Sequence, residues 1–282
     1  MAQEKYVAYV GTYTHENSIG IHVYDIDMEK GKLTERSVAP ISNPSNIAVA
    51  HSGKYLYSIE DEGVASFSID ENGDLTKINQ AWIGGMRACY VEIDSDDRYL
   101  FLAGFHDGKV TVMRLNEDGS IAGIADGVFH QGVGKSSVEK RMDPRVSCTK
   151  LTPDEKFLCA VDWGLNQIKI YEVDYEEGKL HLYDILRFPF NSAPRRIRFS
   201  KDGKFAYVLE ETTNMVDIYT YVLREGKPVF EKIKTTSVLE KEDSLASGSA
   251  LEFAPDGKYL YVSLDGANGV VCLAGGEDGL IF

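Results

Sequence analysis

Arginines stand at one recurring place in this chain, and acids stand at another. Arg87 precedes the apolar run 88–93, Arg145 precedes 148–151, and Arg195 with Arg196 opens 196–199; Ser45-Asn46 and Ser249 hold the same place in two further runs. After the turn that follows each run comes a second apolar run, closed by Glu60, His106, Asp162-Trp163, Glu210-Glu211 or Asp265. A guanidinium carries fixed charge and binds carboxylate or phosphate with two parallel donors. Several of them in a concave site would draw a small anion. Two readings stand open. Either the arginines hold an anionic ligand, or they pair with Glu60, Asp162, Glu210 and Glu211 and lace the strands together.

The elements that must position these residues are written in a repeated phrase. It reads SGKYLY from Ser52, DDRYLF from Asp96, DEKFL from Asp154, DGKFAY from Asp202 and DGKYLY from Asp256. A tight turn followed by a basic residue and an aromatic-aliphatic strand recurs every roughly 45 to 60 residues, the period of a four-stranded propeller blade. In the clearest unit, 46–50 is strand A, 55–59 is B, 64–69 is C and 75–82 is D, with the Asn72-Gly73 hairpin signal before D. Later units repeat it over 88–93, 99–103, 109–115 and from 120. The next covers 148–151, 157–161, 167–173 and 179–186, and then 196–199, 205–209, 216–223 and 229–237 follow. The last covers 250–253, 259–263 and 269–273. The first unit, 6–12, 20–26 and 33–38, has no strand A.

The expected fold class is therefore all-β: one β-propeller domain over 1–282, with about six antiparallel blades, the first and last incomplete. Residues 275–282 read as a turn into a strand D barely begun. In antiparallel A and B strands the start of A and the end of B share one end of the blade. With A innermost, that end faces the central channel, which gathers the arginines and acids there.

Composition fits a folded domain. The chain is 43% hydrophobic, with 16 Tyr, 12 Phe and 26 Gly. A net charge of −14 argues against a nucleic-acid partner. Apolar runs near 18 residues are missing, so no membrane span is expected, and the start lacks a signal-peptide pattern. Cys89, Cys148, Cys159 and Cys272 show no paired spacing and read as buried reduced thiols, which points to a cytoplasmic protein. His15, His51 and His130 fall in loops without ligand spacing, and His22 and His181 fall on strand surfaces. With no metal motif and no phosphate loop, neither metal nor cofactor is expected.

Several phrases carry a resemblance beyond the repeat: YVGTYT from Tyr9, GIHVYDID from Gly20, NPSNIAVA from Asn43, GFHDGKVTV from Gly104, APRRIRFSKDGKFAY from Ala193 and FAPDGKYLYVS from Phe253. In their order they resemble the lactonase family of seven-bladed β-propellers. That family includes propeller-type 6-phosphogluconolactonases and 3-carboxy-cis,cis-muconate lactonizing enzymes. The resemblance implies a further repeat and a closing strand, so an open inner edge at 6–12 and reduced stability relative to a longer chain are expected.

The resemblance also implies site residues. Arg195 matches the family arginine and Glu211 the family glutamate. In the phrase Asp143-Pro144-Arg145-Val146-Ser147-Cys148, Arg145 stands where the family has its catalytic histidine, and Ser147 where some members have a second. A further family arginine falls near Asp265 and is absent. Lactone opening needs a base to activate water and a cation to steady the carbonyl oxygen. Glu211 is the candidate base, Arg195 the candidate cation and Arg145 the third candidate catalytic group. Arg87, His106, Arg196, Asn46 and Ser147 are candidate substrate contacts; His106 reads equally as an exposed loop residue.

The expected ligand is a small anionic lactone or sugar acid, on a monomer or weak oligomer. The expected activity is a lactone hydrolase. A catalytically silent ligand- or protein-binding scaffold and a lactonizing cycloisomerase are the alternatives.

Overall fold

A computed structural model describes residues 6–132, 143–241 and 245–276. All regular structure among them is β-strand, in six antiparallel sheets. The expected turn and strand over 275–282 falls mostly outside the described residues, as does the start of the N-terminal segment.

The repeated phrase has a simple backbone cause. Its second residue, Gly53, Asp97, Glu155, Gly203 or Gly257, has a positive φ in all five copies, between 56° and 75°. Glycine takes this left-handed conformation freely, and Asp or Glu does so at a cost of roughly 1–2 kcal/mol. In the fourth copy Asp202 Oδ1 accepts from the Lys204 amide at 3.2 Å and from Ser200 Oγ at 2.7 Å, which closes the turn.

The chain forms two compact units. The first comprises 1–129 with 175–179, and the second 130–174 with 180–282. In the first, β1 (Tyr6–Val10), β2 (Gly20–Asp27) and β3 (Lys32–Pro40) make a three-stranded sheet. Strands β4 (Ile47–Val49), β5 (Tyr55–Glu60), β6 (Gly63–Ile69) and β7 (Leu75–Ala81) make the next. Strands β8 (Tyr90–Ile93), β9 (Tyr99–Gly104), β10 (Lys109–Leu115) and β11 (Ile121–Phe129) make the third. Tyr57, Ile59, Val64, Leu100, Leu102 and Met113 pack into one buried cluster between the last two sheets, as the alternation of β5 and the all-apolar run of β9 require.

In the second unit, β12 (Val146–Leu151), β13 (Phe157–Asp162), β14 (Gln167–Asp174) and β15 (Lys179–Arg187) pair in sequence order. So do β16 (Pro194–Phe199), β17 (Phe205–Glu210), β18 (Met215–Arg224) and β19 (Lys227–Ser237). Strands β20 (Ser247–Phe253), β21 (Tyr259–Asp265) and β22 (Gly269–Ala274) form a three-stranded sheet. Leu209, Val216, Ile218, Leu251, Leu260 and Val262 join the last two sheets in one core.

Strand order matches the expectation in every unit, including the absence of a strand inside β1 among the described residues. Two details differ. The first strands of the second unit's sheets begin two or three residues earlier than expected, because each carries a bulge near its start. Val146 pairs Asp162 and Cys148 pairs Val161, leaving Ser147 out of register; Arg195 and Ser249 are displaced in the same way. The cysteines differ too. None forms a disulfide, but only Cys148 and Cys159 are buried; Cys89 is part-exposed, and Cys272 is exposed because it lies on β22, which has no strand beyond it among the described residues.

Candidate functional site

The bulges decide what the arginines do. A residue inserted into one strand of a pair leaves the ladder and its side chain is re-aimed. Arg195 is such a residue. It lies two residues after Ala193, whose φ of 51° is uncommon for a residue with a Cβ. Ala193 is held there by its amide on Asn166 Oδ1 at 2.9 Å and its carbonyl under the Glu211 amide at 3.0 Å. The same hydrogen bonds that stabilise this backbone place Arg195 beside the end of β17, where Glu211 stands.

Arg195 Nη1 donates to Glu211 Oε2 at 2.5 Å, and Trp163 Nε1 donates to the same oxygen at 3.0 Å. Glu211 Oε1 takes no hydrogen bond among the described residues, and Glu211 is 21% exposed. One carboxylate oxygen is thus clamped by two donors and the other by none among the described residues. The Arg195 side chain is 27% exposed, and its buried Nε has no partner.

Arg145 lies against this pair through Trp163: its guanidinium sits over the indole at 5.6 Å, and the Trp163 amide donates to the Arg145 carbonyl at 2.9 Å. A cation over an indole face is an attractive arrangement. Gly164 makes it possible, since a Cβ there would lie 1.9 Å from the Asp143 carbonyl oxygen. Ser147 Oγ donates to the Arg195 carbonyl at 2.9 Å, and Arg196 Nη1 donates to the Ser147 carbonyl. Five of the eight expected residues, Glu211, Arg195, Arg145, Ser147 and Arg196, therefore form one connected cluster. Ser147 and Arg196 reach it through backbone groups of neighbouring strands, so their first role there is to tie β12 to β16.

The other three lie in the first unit. Arg87 donates to the Asn43 carbonyl and to Ser45 Oγ at 2.8 Å, with Nε 3.5 Å from Asp61, and it lies over the Tyr13 ring at 5.4 Å. Asn46 Oδ1 accepts from the Val91 amide at 2.9 Å and joins β4 to β8. His106 is exposed and meets Phe105 edge to face. The lacing alternative thus has substance for Arg87 and Arg195, although the partner of Arg87 is Asp61 rather than Glu60. Glu60 lies 3.7 Å from Lys77, and Thr213 donates to Glu210.

The sequence reading passed over two parts of the cluster. Trp163 was noted only as a neighbour of Asp162, and His130 only as a loop residue. His130 is 4% exposed, with Nδ1 2.7 Å from Asp162 Oδ2. Burial holds its pKa below the ordinary histidine range, against the raising effect of Asp162. The recurrence of Asp162 at the end of a B strand was the available signal. Its partner, 32 positions earlier, had none. Among the described residues no group of three or more His, Cys, Asp or Glu side chains is placed to hold a metal. No helix there is long and apolar enough to cross a membrane.

Comparison with known proteins places the fold in a family. Residues 7–281 match the family model described as lactonase, 7-bladed beta-propeller. The chain is 33% identical over 273 residues to a 6-phosphogluconolactonase of Bacillus subtilis, covering 94% of this chain and 76% of that one. It resembles the structure of the periplasmic gluconolactonase of Pseudomonas aeruginosa with a TM-score of 0.88 at 28% identity, over 98% of this chain and 81% of that one. A Lactobacillus plantarum protein superposes with a TM-score of 0.86 at 28% identity, over 99% and 81%. A match along nearly the whole chain, with the repeated turns and sheet order described above, means that this chain belongs to the lactonase family of seven-bladed β-propellers.

Proposed function

We propose that this protein hydrolyses an anionic sugar lactone, with 6-phosphogluconolactone as the representative substrate. The observation that carries this reading is the asymmetric clamp on Glu211: Oε2 is held by Arg195 and Trp163 while Oε1 has no partner among the described residues. In the proposed reaction Oε1 takes a proton from water as the water oxygen bonds to the lactone carbonyl carbon. The carbonyl oxygen becomes negative and is steadied by a guanidinium. The ring C–O bond then breaks, and the departing oxygen takes a proton to give the open hydroxy acid. Arg195 and Arg145 are the cations of this cluster. Members named 6-phosphogluconolactonase and gluconolactonase support the lactone class, and the arginines favour an anionic member of it.

The test is turnover of 6-phosphogluconolactone by the parent chain, after subtraction of spontaneous opening, beside the uncharged gluconolactone. A higher kcat/KM for the phosphorylated lactone is expected, and no turnover of either would end the hydrolase reading. Arg195→Ala is expected to weaken binding of 6-phosphogluconate by about 30-fold, the equivalent of about 2 kcal/mol for a charge-assisted contact. Titration calorimetry measures this directly. An unchanged affinity would remove Arg195 from the site.

A further inference from the structure

The second unit holds a buried histidine that the hydrolysis above does not use. The His130 and Asp162 side chains are both fully buried, and their Nδ1–Oδ2 distance is 2.7 Å. A buried carboxylate must satisfy several acceptor sites. Asp162 does so in two directions. Oδ2 faces His130, and Oδ1 accepts the Arg145 amide at 2.9 Å and the Leu165 amide at 3.0 Å. Between those two amides the chain carries Trp163, whose own amide donates to the Arg145 carbonyl. The indole Nε1 of Trp163 then holds Glu211. From the β14 side, Tyr171 lies against the imidazole at a ring separation of 6.1 Å, and Lys169 is the other charged group among the described residues that acts on it.

We propose that His130 is a positioning residue for Glu211, acting through Asp162 and the 162–165 turn to aim the Trp163 indole at the Glu211 carboxylate. This rests on the lactonase reading for its kinetic consequence, but not for its structural one. The imidazole donates its Nδ1 proton to Asp162 and fixes the carboxylate plane. With that plane fixed, Oδ1 meets the Leu165 amide of the turn and the Arg145 amide beside it, and the turn presents Trp163 in one orientation. His130 Nε2 is buried with no hydrogen-bond partner among the described residues. An unpartnered buried atom is costly. The side chain is therefore kept for its Nδ1 contact and not for a balanced pair of hydrogen bonds.

Two polar replacements separate the roles of the ring nitrogens. His130→Asn keeps an amide donor near the Nδ1 position, and His130→Gln moves it toward Nε2. Both are made in the chain carrying Trp82→Phe, so that Trp163 is the sole tryptophan; Trp82 is 67% exposed and outside the cluster. The Gln variant is expected to lose about 10-fold or more in kcat on 6-phosphogluconolactone with KM within about threefold, the pattern of a misplaced base rather than a lost binding contact. Its Trp163 emission is expected to move to longer wavelength with greater iodide quenching. The Asn variant is expected to restore both readouts. A folded Gln variant with parental kcat and parental emission would overturn the proposal. So would an Asn variant as impaired as Gln, or a loss confined to KM. If the parent opens no lactone, the hydrolase reading fails by itself, and the emission difference between the Asn and Gln variants still decides whether His130 positions Trp163.

Discussion

Glu211→Gln lowers the rate of lactone opening by about 10²- to 10⁴-fold, the range for loss of a positioned general base. The substitution keeps size and shape. The Gln carbonyl oxygen still accepts from Arg195 and Trp163, which now both meet Glu211 Oε2. The other terminal atom becomes an NH₂ group with no lone pair for a proton, so water at that position is no longer activated. The lost ion pair is part-exposed, and such pairs contribute at most about 1 kcal/mol, so the fold survives. Binding of 6-phosphogluconate should stay within about threefold of the parent, because the arginines remain. Single-turnover kinetics and calorimetry on the same preparation measure both quantities. A kcat close to the parent's would exclude Glu211 as the base.

Asp162→Ala destabilises the protein by about 3–5 kcal/mol, the cost of leaving several buried donors without their acceptor at about 1–3 kcal/mol each. The reason is the number of donors left behind: His130 Nδ1, the Arg145 amide and the Leu165 amide all lose their acceptor. Urea unfolding monitored by circular dichroism reads the effect, and a change below about 1 kcal/mol would contradict the buried network. The same pair sets a pH dependence. The folded-state pKa of His130 lies below its ordinary value of 6.5 because of burial. Between the two values the unfolded chain binds the extra proton, so stability falls as pH drops below about 6.5. His130→Asn removes this contribution, and its melting temperature should fall less steeply than the parent's between neutral and mildly acidic pH. Parallel curves would show that His130 does not titrate in that window.

The repeat, the strand order and the placing of Arg195 and Glu211 at one end of a blade were all legible in the sequence, for local reasons. A left-handed turn residue followed by a basic residue and an aromatic strand leaves its mark on adjacent positions: Gly53, Gly203 and Gly257 take the conformation their type favours. Asp97 and Glu155 take it because the same turn is built around them. An arginine ahead of one strand and an acid after the next are brought to one end of a blade by antiparallel pairing alone.

The bulges at Ser147 and Arg195 were not legible, because a bulge depends on which of two strands carries the extra residue. The clamp on Glu211 was hidden for a similar reason. Trp163 and Glu211 are 48 positions apart on neighbouring sheets, and only packing decides that the indole reaches that oxygen. His130 shows the limit most plainly. Its sequence surroundings read as a polar loop, and that loop is where it lies. Its burial against Asp162 and Tyr171 comes from strands formed more than 30 positions later in the chain, which leave a carboxylate as its partner.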